Sequence, residues 1–291
     1  MATATASESV ALAIASRWTL LLSYLAAVVV AEVLIAIPAG PSGADRPYQP
    51  IGLGIHILLV FSLMFGSVVV EARDRTMAML LVATSLASLV RVFSLAVPRY
   101  NFLNLPGLNP ETNALNTIPW LALVSIPLLV SIASVSYVQR LRPADLGLRF
   151  RDWRDIPIQT AIAMTGIPLG FVEFEILGPG PWISALAFAP VVVGGLVIFL
   201  ATGLSEELIF RGLLLKRAIE GLGDAGGLLF VTAIFASLHI FFLSAIDMVF
   251  VFSVGLFYGY VVLKTKNLWG AIVSHSLGNV ILYLVAPFVF R

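Results

Sequence analysis

Runs of about twenty apolar residues, separated by short polar connectors, make up most of the chain. A helix rising 1.5 Å per residue needs about 20 such residues to cross the roughly 30 Å hydrocarbon core of a bilayer. Runs of this kind fall at 18–38, 51–70, 77–97, 118–138, 156–177, within 184–217, and at 227–243, 247–263 and 268–289. The pattern predicts eight or nine transmembrane helices, the short late runs being open to tilting or fusion, and an all-α, polytopic helix bundle as the fold class. The longest polar connectors are 98–117, rich in Asn and Pro, and 139–155. They divide the chain into N-terminal helices over 1–138, a connector over 139–155 and a C-terminal helical region over 156–291. No internal repeat is visible. Residues Met1–Ser16 are small and polar, with no basic stretch before the first apolar run. That run is too long for a signal-peptide core and reads as a first span kept in the mature chain.

Composition agrees with a membrane solvent. Of the 291 residues 59% are hydrophobic and 11% charged, and the mean hydropathy is +1.01; an ordinary soluble domain carries about 25% charged residues. A net charge of +1 excludes nucleic-acid binding driven by bulk electrostatics, and leaves membrane lipid as the expected surroundings. The absence of cysteine excludes a disulfide framework, a thiolate nucleophile and a thiolate-ligated metal.

Charge also gives an orientation, because short cytoplasmic loops carry excess Lys and Arg. With the N-terminus cytoplasmic, that side collects Arg17, Arg73, Arg75, Arg140, Arg142, Arg149, Arg151, Arg154, Arg211, Lys216, Arg217, Lys264 and Lys266. The opposite side keeps Arg46, Arg99 and Arg291, and Arg91 falls within a span. The connector 139–155 mixes Arg with Leu, Phe and Trp, a composition suited to lying along the cytoplasmic headgroups.

Ionisable groups inside a span cost roughly 2.5–3.5 kcal/mol each and mark function more often than structure. They concentrate in the last third. Glu206, Glu207 and Arg211 interrupt an apolar helix, at a cost of very roughly 8–10 kcal/mol if unpaired. Glu207 and Arg211 are four apart, so they share a face and neutralise each other. Glu206 points about 100° away, without that partner, and is the carboxylate left for chemistry. His239 follows Phe235 by one turn, on a helix expected to start near Gly227. His275 and Asn279 lie one turn apart on the last span. A lone His or Asn in a span is most often interhelical glue, and charges near a helix end can snorkel. Four such groups on three late helices are less easily read that way.

Three patterns, Glu206-Glu207-xxx-Arg211, Phe235-xxx-His239 and His275-xxx-Asn279, together resemble the motifs EExxxR, FxxxH and HxxxN of the CPBP family of intramembrane proteases. That family includes type II CAAX prenyl endopeptidases and bacteriocin-processing relatives. Phe210 and Gly212 fit the usual surroundings of the first motif, and Asp145-Leu146-Gly147-Leu148 also looks family-like. The resemblance implies hydrolysis of a peptide bond by water inside the membrane, of a protein or peptide substrate that includes lipidated ones. It assigns Glu206 as general base with His239 beside it, and His275 and Asn279 to the oxyanion. Glu207, Arg211 and Phe235 become supporting residues. No cofactor is required in this mechanism. A zinc held by Glu206, His239 and His275 is the alternative, although no HExxH pair is present. A proton-coupled transporter and an inactive regulatory protein with the same fold remain the other readings. The expected location is a multi-pass position in a membrane, the plasma (inner) membrane if the source is prokaryotic.

Other polar residues in or near spans are expected to be structural. His56 should pack or bond a backbone carbonyl. Glu32, Arg91, Glu173, Glu175 and Asp247 lack partners at motif spacing, Glu173 and Glu175 belonging near the outer interface. Arg91 is the best candidate among them for an interhelical ion pair.

Overall fold

The computed structural model describes residues 6–38, 46–100, 108, 110 and 113–290. Arg291 therefore lies outside the described residues, as do residues 1–5 of the N-terminal segment. Among those described there is no strand, and eight helical stretches are long and apolar enough to cross a membrane. They begin with α1 (Ala6–Ala36), α2 (Gln49–Val70), α3 (Arg75–Tyr100) and α4 (Thr117–Val138). Next come α5 (Asp155–Met164) and α6 (Gly166–Leu177), which meet at Thr165 and form one span. The sixth stretch, Phe188–Phe242, holds α7 (Phe188–Ile198), the short α8 (Ser205–Glu207) and α9 (Leu215–Ser237). Last are α10 (Ala245–Thr265), α11 (Trp269–Val280) and α12 (Ala286–Val289).

Both predicted counts describe this chain, because the 55-residue sixth stretch is broken at Gly223 (φ 77°, ψ 169°). Only glycine adopts such a backbone without strain. After it the chain folds back: a Cβ on Gly227 would sit 2.7 Å from the backbone nitrogen of Ile219. In an unbroken helix residues eight apart are about 12 Å apart. The break thus precedes the expected boundary at 227 by four residues.

The first three helices pack on one another, α3 also touching α4 and α9. In the C-terminal half α11 is the hub, in contact with α5, α6, α7, α10 and the segment Phe199–Leu204. Small residues allow this. A Cβ at Gly166 or Gly170 would overlap the carbonyl oxygens of Ser274 and Gly278, and one at Gly203 would overlap Ser276 Oγ. Close backbone approach at small residues is how helices associate where lipid removes the hydrophobic drive. Phe210, Leu213, Leu214 and Ile234 fill the core, whereas Phe61, Phe65 and Val68 of the peripheral α2 are exposed. Rows of exposed large apolar side chains require an apolar surrounding. The chain is an integral multi-pass membrane protein.

The connector 139–155 is a run of turns, with Phe150 and Trp153 exposed. Its Leu146 is buried, and it holds the start of α11: Leu268 N–H donates to the Gly147 carbonyl at 2.9 Å, and Trp269 Nε1–H to that of Leu148 at 3.1 Å. The connector therefore positions the helix that carries His275.

Candidate active site

The acidic pair sits where the helix changes gauge. α8 supplies one ordinary turn between two π-helical stretches, Phe199–Leu204 and Leu208–Leu214. Such widened turns re-aim side chains and recur at functional sites. Here they send the two carboxylates apart. Glu207 is fully buried, while 23% of the Glu206 side chain remains exposed.

Glu207 Oε1 accepts from Arg211 Nη1 at 2.9 Å, as the four-residue spacing predicts. It also meets Nδ1 of His275 at 2.9 Å, a contact that the sequence reading did not anticipate. A carboxylate only accepts, so Nδ1 of His275 carries the hydrogen and Nε2 is left facing Glu206, 4.0 Å from its Oε2. The Arg211 guanidinium lies over the Phe235 ring, 4.2 Å from its centroid, and Phe210 meets that ring edge-on at 5.0 Å. Phe235 in turn stands against both imidazoles, 5.1 Å from His239 and 6.2 Å from His275.

His239 is not inside a helix, as the pattern suggested, but just past the end of α9, at the start of the turn Ile240–Phe242. At this residue the backbone tightens. His239 N–H bonds the carbonyl three residues back, on Ala236, rather than four back. The Phe235 carbonyl is thereby left for the ring, whose Nδ1 lies 3.0 Å from it. A carbonyl only accepts, so Nδ1 again holds the hydrogen and Nε2 is the basic nitrogen.

Asn279, one turn beyond His275, donates from Nδ2 to Thr202 Oγ1 at 3.0 Å, leaving a second amide hydrogen. The Thr202 hydroxyl is spent on the Ile198 carbonyl at 2.8 Å. Another π-helical stretch, Ile281–Val285, begins two residues after Asn279.

Glu206, His239, His275 and Asn279 all line one cavity of about 620 Å³. Apolar side chains such as Trp120, Leu128 and Phe250 form much of its remaining wall. Glu173, placed by the sequence near the outer interface, lines it too, because α6 packs beside α11; Glu175 is exposed. Tyr258 and Thr202 are further cavity residues missed in the sequence. Thr202 had a legible signal, since it lies one turn before Glu206. Tyr258, with its hydroxyl 2.8 Å from Ser274 Oγ, had none.

A catalytic zinc takes three protein ligands about 2.0–2.2 Å from the ion. Among the described residues no three His, Asp or Glu side chains are disposed to hold a metal ion. As these side chains stand, Glu206, His239 and His275 do not form such a group.

The N-terminal polar residues have partners of their own. Arg91 Nε donates to Glu32 Oε1 at 2.7 Å, the interhelical ion pair expected of it. His56 Nε2 lies 3.1 Å from the same oxygen, so its neighbour is a carboxylate instead of the expected apolar packing or carbonyl.

No curated protein and no solved structure matches the chain. A family model does: that of the Type II CAAX prenyl endopeptidase Rce1-like family covers residues 179–281. This stretch contains all three motifs and the helices α7 to α11 that bring them to the cavity. Residues 179–281 thus match the Rce1-like family model, in line with the resemblance of the three motifs to CPBP intramembrane proteases.

Proposed function

We propose that this protein hydrolyses peptide bonds within the membrane, using water activated by Glu206 and His239. The observation that carries the reading is convergence: four polar side chains, from three distant parts of the sequence, meet on one largely apolar cavity. The gap of 4.0 Å between Glu206 and His275 Nε2 is too long for a direct hydrogen bond. A single water bonded to both spans it.

The chemistry follows from the hydrogen positions. The attacking water gives one proton to the Glu206 carboxylate as its oxygen bonds to the substrate carbonyl carbon. The basic Nε2 of His239 offers a second acceptor, through which a proton reaches the leaving nitrogen as the C–N bond breaks. When His275 is an imidazolium, its Nε2–H and the second Asn279 amide hydrogen face the developing oxyanion. Glu207 holds the ring in that orientation and stabilises its charge, the role of the carboxylate in a serine-protease triad. In that state two carboxylates balance one guanidinium and one imidazolium, so the buried cluster is neutral, as a low-dielectric setting demands.

The substrate class that suits an apolar cavity at this depth is a hydrophobic or lipidated protein tail or peptide, processed either at a CAAX-type C-terminus or as a bacteriocin-type precursor. The basic loops put the N-terminus on the cytoplasmic side; Arg46, Pro110, Trp182 and Phe241, which line the cavity, belong to the opposite loops, so with that orientation it opens away from the cytoplasm. The test is a comparison of membrane proteomes from cells carrying the wild type or Glu206→Ala at equal levels. A precursor that accumulates only with Glu206→Ala supports the reading. Identical proteomes contradict it.

A further inference from the structure

The N-terminal helices lie outside the matched residues 179–281, yet they hold the end of the helix that presents His239. α9 stops at Ser237, and carbonyls at a helix end need partners from elsewhere. That of Leu238, one residue before His239, accepts from Arg91 Nη2 of α3 at 2.6 Å. The same guanidinium is held through Nε by Glu32 of α1, and His56 of α2 closes on the shared carboxylate oxygen. Glu32 and His56 are fully buried. Each N-terminal helix thus gives one group to a cluster that reaches out of those helices to the Leu238 carbonyl and, more loosely, to the Phe241 ring, 5.7 Å from the Arg91 guanidinium. Arginine suits this task, because its rigid fork can serve two acceptors at once. A cation at the C-terminal end of a helix also has the favourable sign. Apolar contacts repeat the grip: Phe241, two residues beyond His239, packs on the cluster of Ile35, Leu53 and Leu95.

We infer that Arg91 is a positioning residue for hydrolysis. Locked by Glu32 and His56, it fixes the Leu238 carbonyl, and with it the place from which the His239 imidazole enters the cavity. The ring's own hydrogen bond, to Phe235, lies within the same helix end. That bond sets the tautomer. It does not set the distance of the helix end from Glu206, whereas a bond from another helix does. The inference rests on the hydrolytic reading above and gives the N-terminal helices a part in it.

The test uses the full-length protein in cells and follows, by pulse–chase, the precursor that accumulates with Glu206→Ala. Misplacing a reacting group by about 1 Å costs on the order of 100-fold, so folded Arg91→Ala should process that precursor about 100-fold more slowly. The loss should persist when the precursor is overproduced, because it falls on kcat and not on KM. Arg91→Lys should restore part of the rate, since an ammonium reaches one acceptor but not both. Glu32→Gln, which keeps the shape and is not on the cavity wall, should lose a smaller factor. Processing at the wild-type rate by folded Arg91→Ala and Arg91→Lys would overturn the inference, as would a defect that excess precursor fully relieves. If Arg91→Ala fails to reach the membrane folded, Arg91→Lys and Glu32→Gln decide by the same criteria. If Glu206→Ala accumulates no precursor, the hydrolytic reading falls, and this inference with it.

Discussion

Two polar clusters sit inside this bundle, built from the same residue types and put to different uses. In the N-terminal helices Glu32 and His56 are sealed from any opening, and Arg91, though 14% exposed on the same cavity wall, spends its guanidinium on Glu32 and the Leu238 carbonyl. In the C-terminal helices Glu207 and Arg211 form an equally sealed pair, but Glu206 and His275 are 23% and 14% exposed and stand on the cavity wall. An ionisable group in a span is therefore not a site in itself. Access separates the two cases. A charge enclosed by its partners ties helices together, and one presented to a shared hollow can meet a substrate.

Substitutions should break the comparison along that line. Removing the exposed carboxylate should destroy rate and spare stability: Glu206→Gln should lower precursor turnover by about 10²–10⁴-fold, the range for a general base. Its thermal unfolding should stay close to that of the wild type. Removing the sealed carboxylate should fall chiefly on stability. Glu32→Ala leaves the Arg91 charge buried without its partner, which costs about 3–5 kcal/mol and should appear as a large drop in unfolding temperature in detergent. Asn279→Ala should lower turnover by about 10²–10³-fold, the usual cost of one oxyanion donor. A similar loss of stability and no loss of rate would recast Asn279 as a structural partner of Thr202.

The smallest effect belongs to a third pair, at the end of the first span. Arg17 of α1 meets Asp74, in the turn before α3, at 2.6 Å. Burial by itself raises the Asp74 carboxyl, but the Met77 N–H and the Arg17 guanidinium outweigh it and hold the group below its ordinary value of 3.8. A carboxyl held low stabilises the fold above its unfolded pKa and loses that contribution as pH falls through the folded value. The Arg17–Asp74 contribution should therefore be constant at neutral pH and fade only below pH 3.8. With the pair about a third exposed, Asp74→Asn should cost under about 1 kcal/mol at neutral pH, read from unfolding midpoints.

The spans were legible because a bilayer imposes length and apolarity on each helix, and no other solvent does so as strictly. The break at Gly223 was harder to place, since Gly221, Gly226 and Gly227 offer the same sequence signal and only packing against Ile219 selects among them. At the site, the pairing of Glu207 with Arg211 followed from helical spacing. Its contact with His275 joins residues 68 apart and could not be read from any local pattern. The tie from Arg91 to Leu238 left even less trace, because its acceptor is a backbone carbonyl, which every residue carries. Only part of the setting of Glu173 was legible. Its position along α6 was read as a depth in the membrane, while the packing of α6 beside α11 set which way it faces.

The most direct measurement adds purified protein in lipid vesicles to the precursor that accumulates in Glu206→Ala cells and follows cleavage in water enriched in ¹⁸O. The account predicts one labelled oxygen in the new C-terminal carboxylate with the wild type and no cleavage with Glu206→Gln. Cleavage by Glu206→Gln at the wild-type rate, or a product without the label, would contradict it.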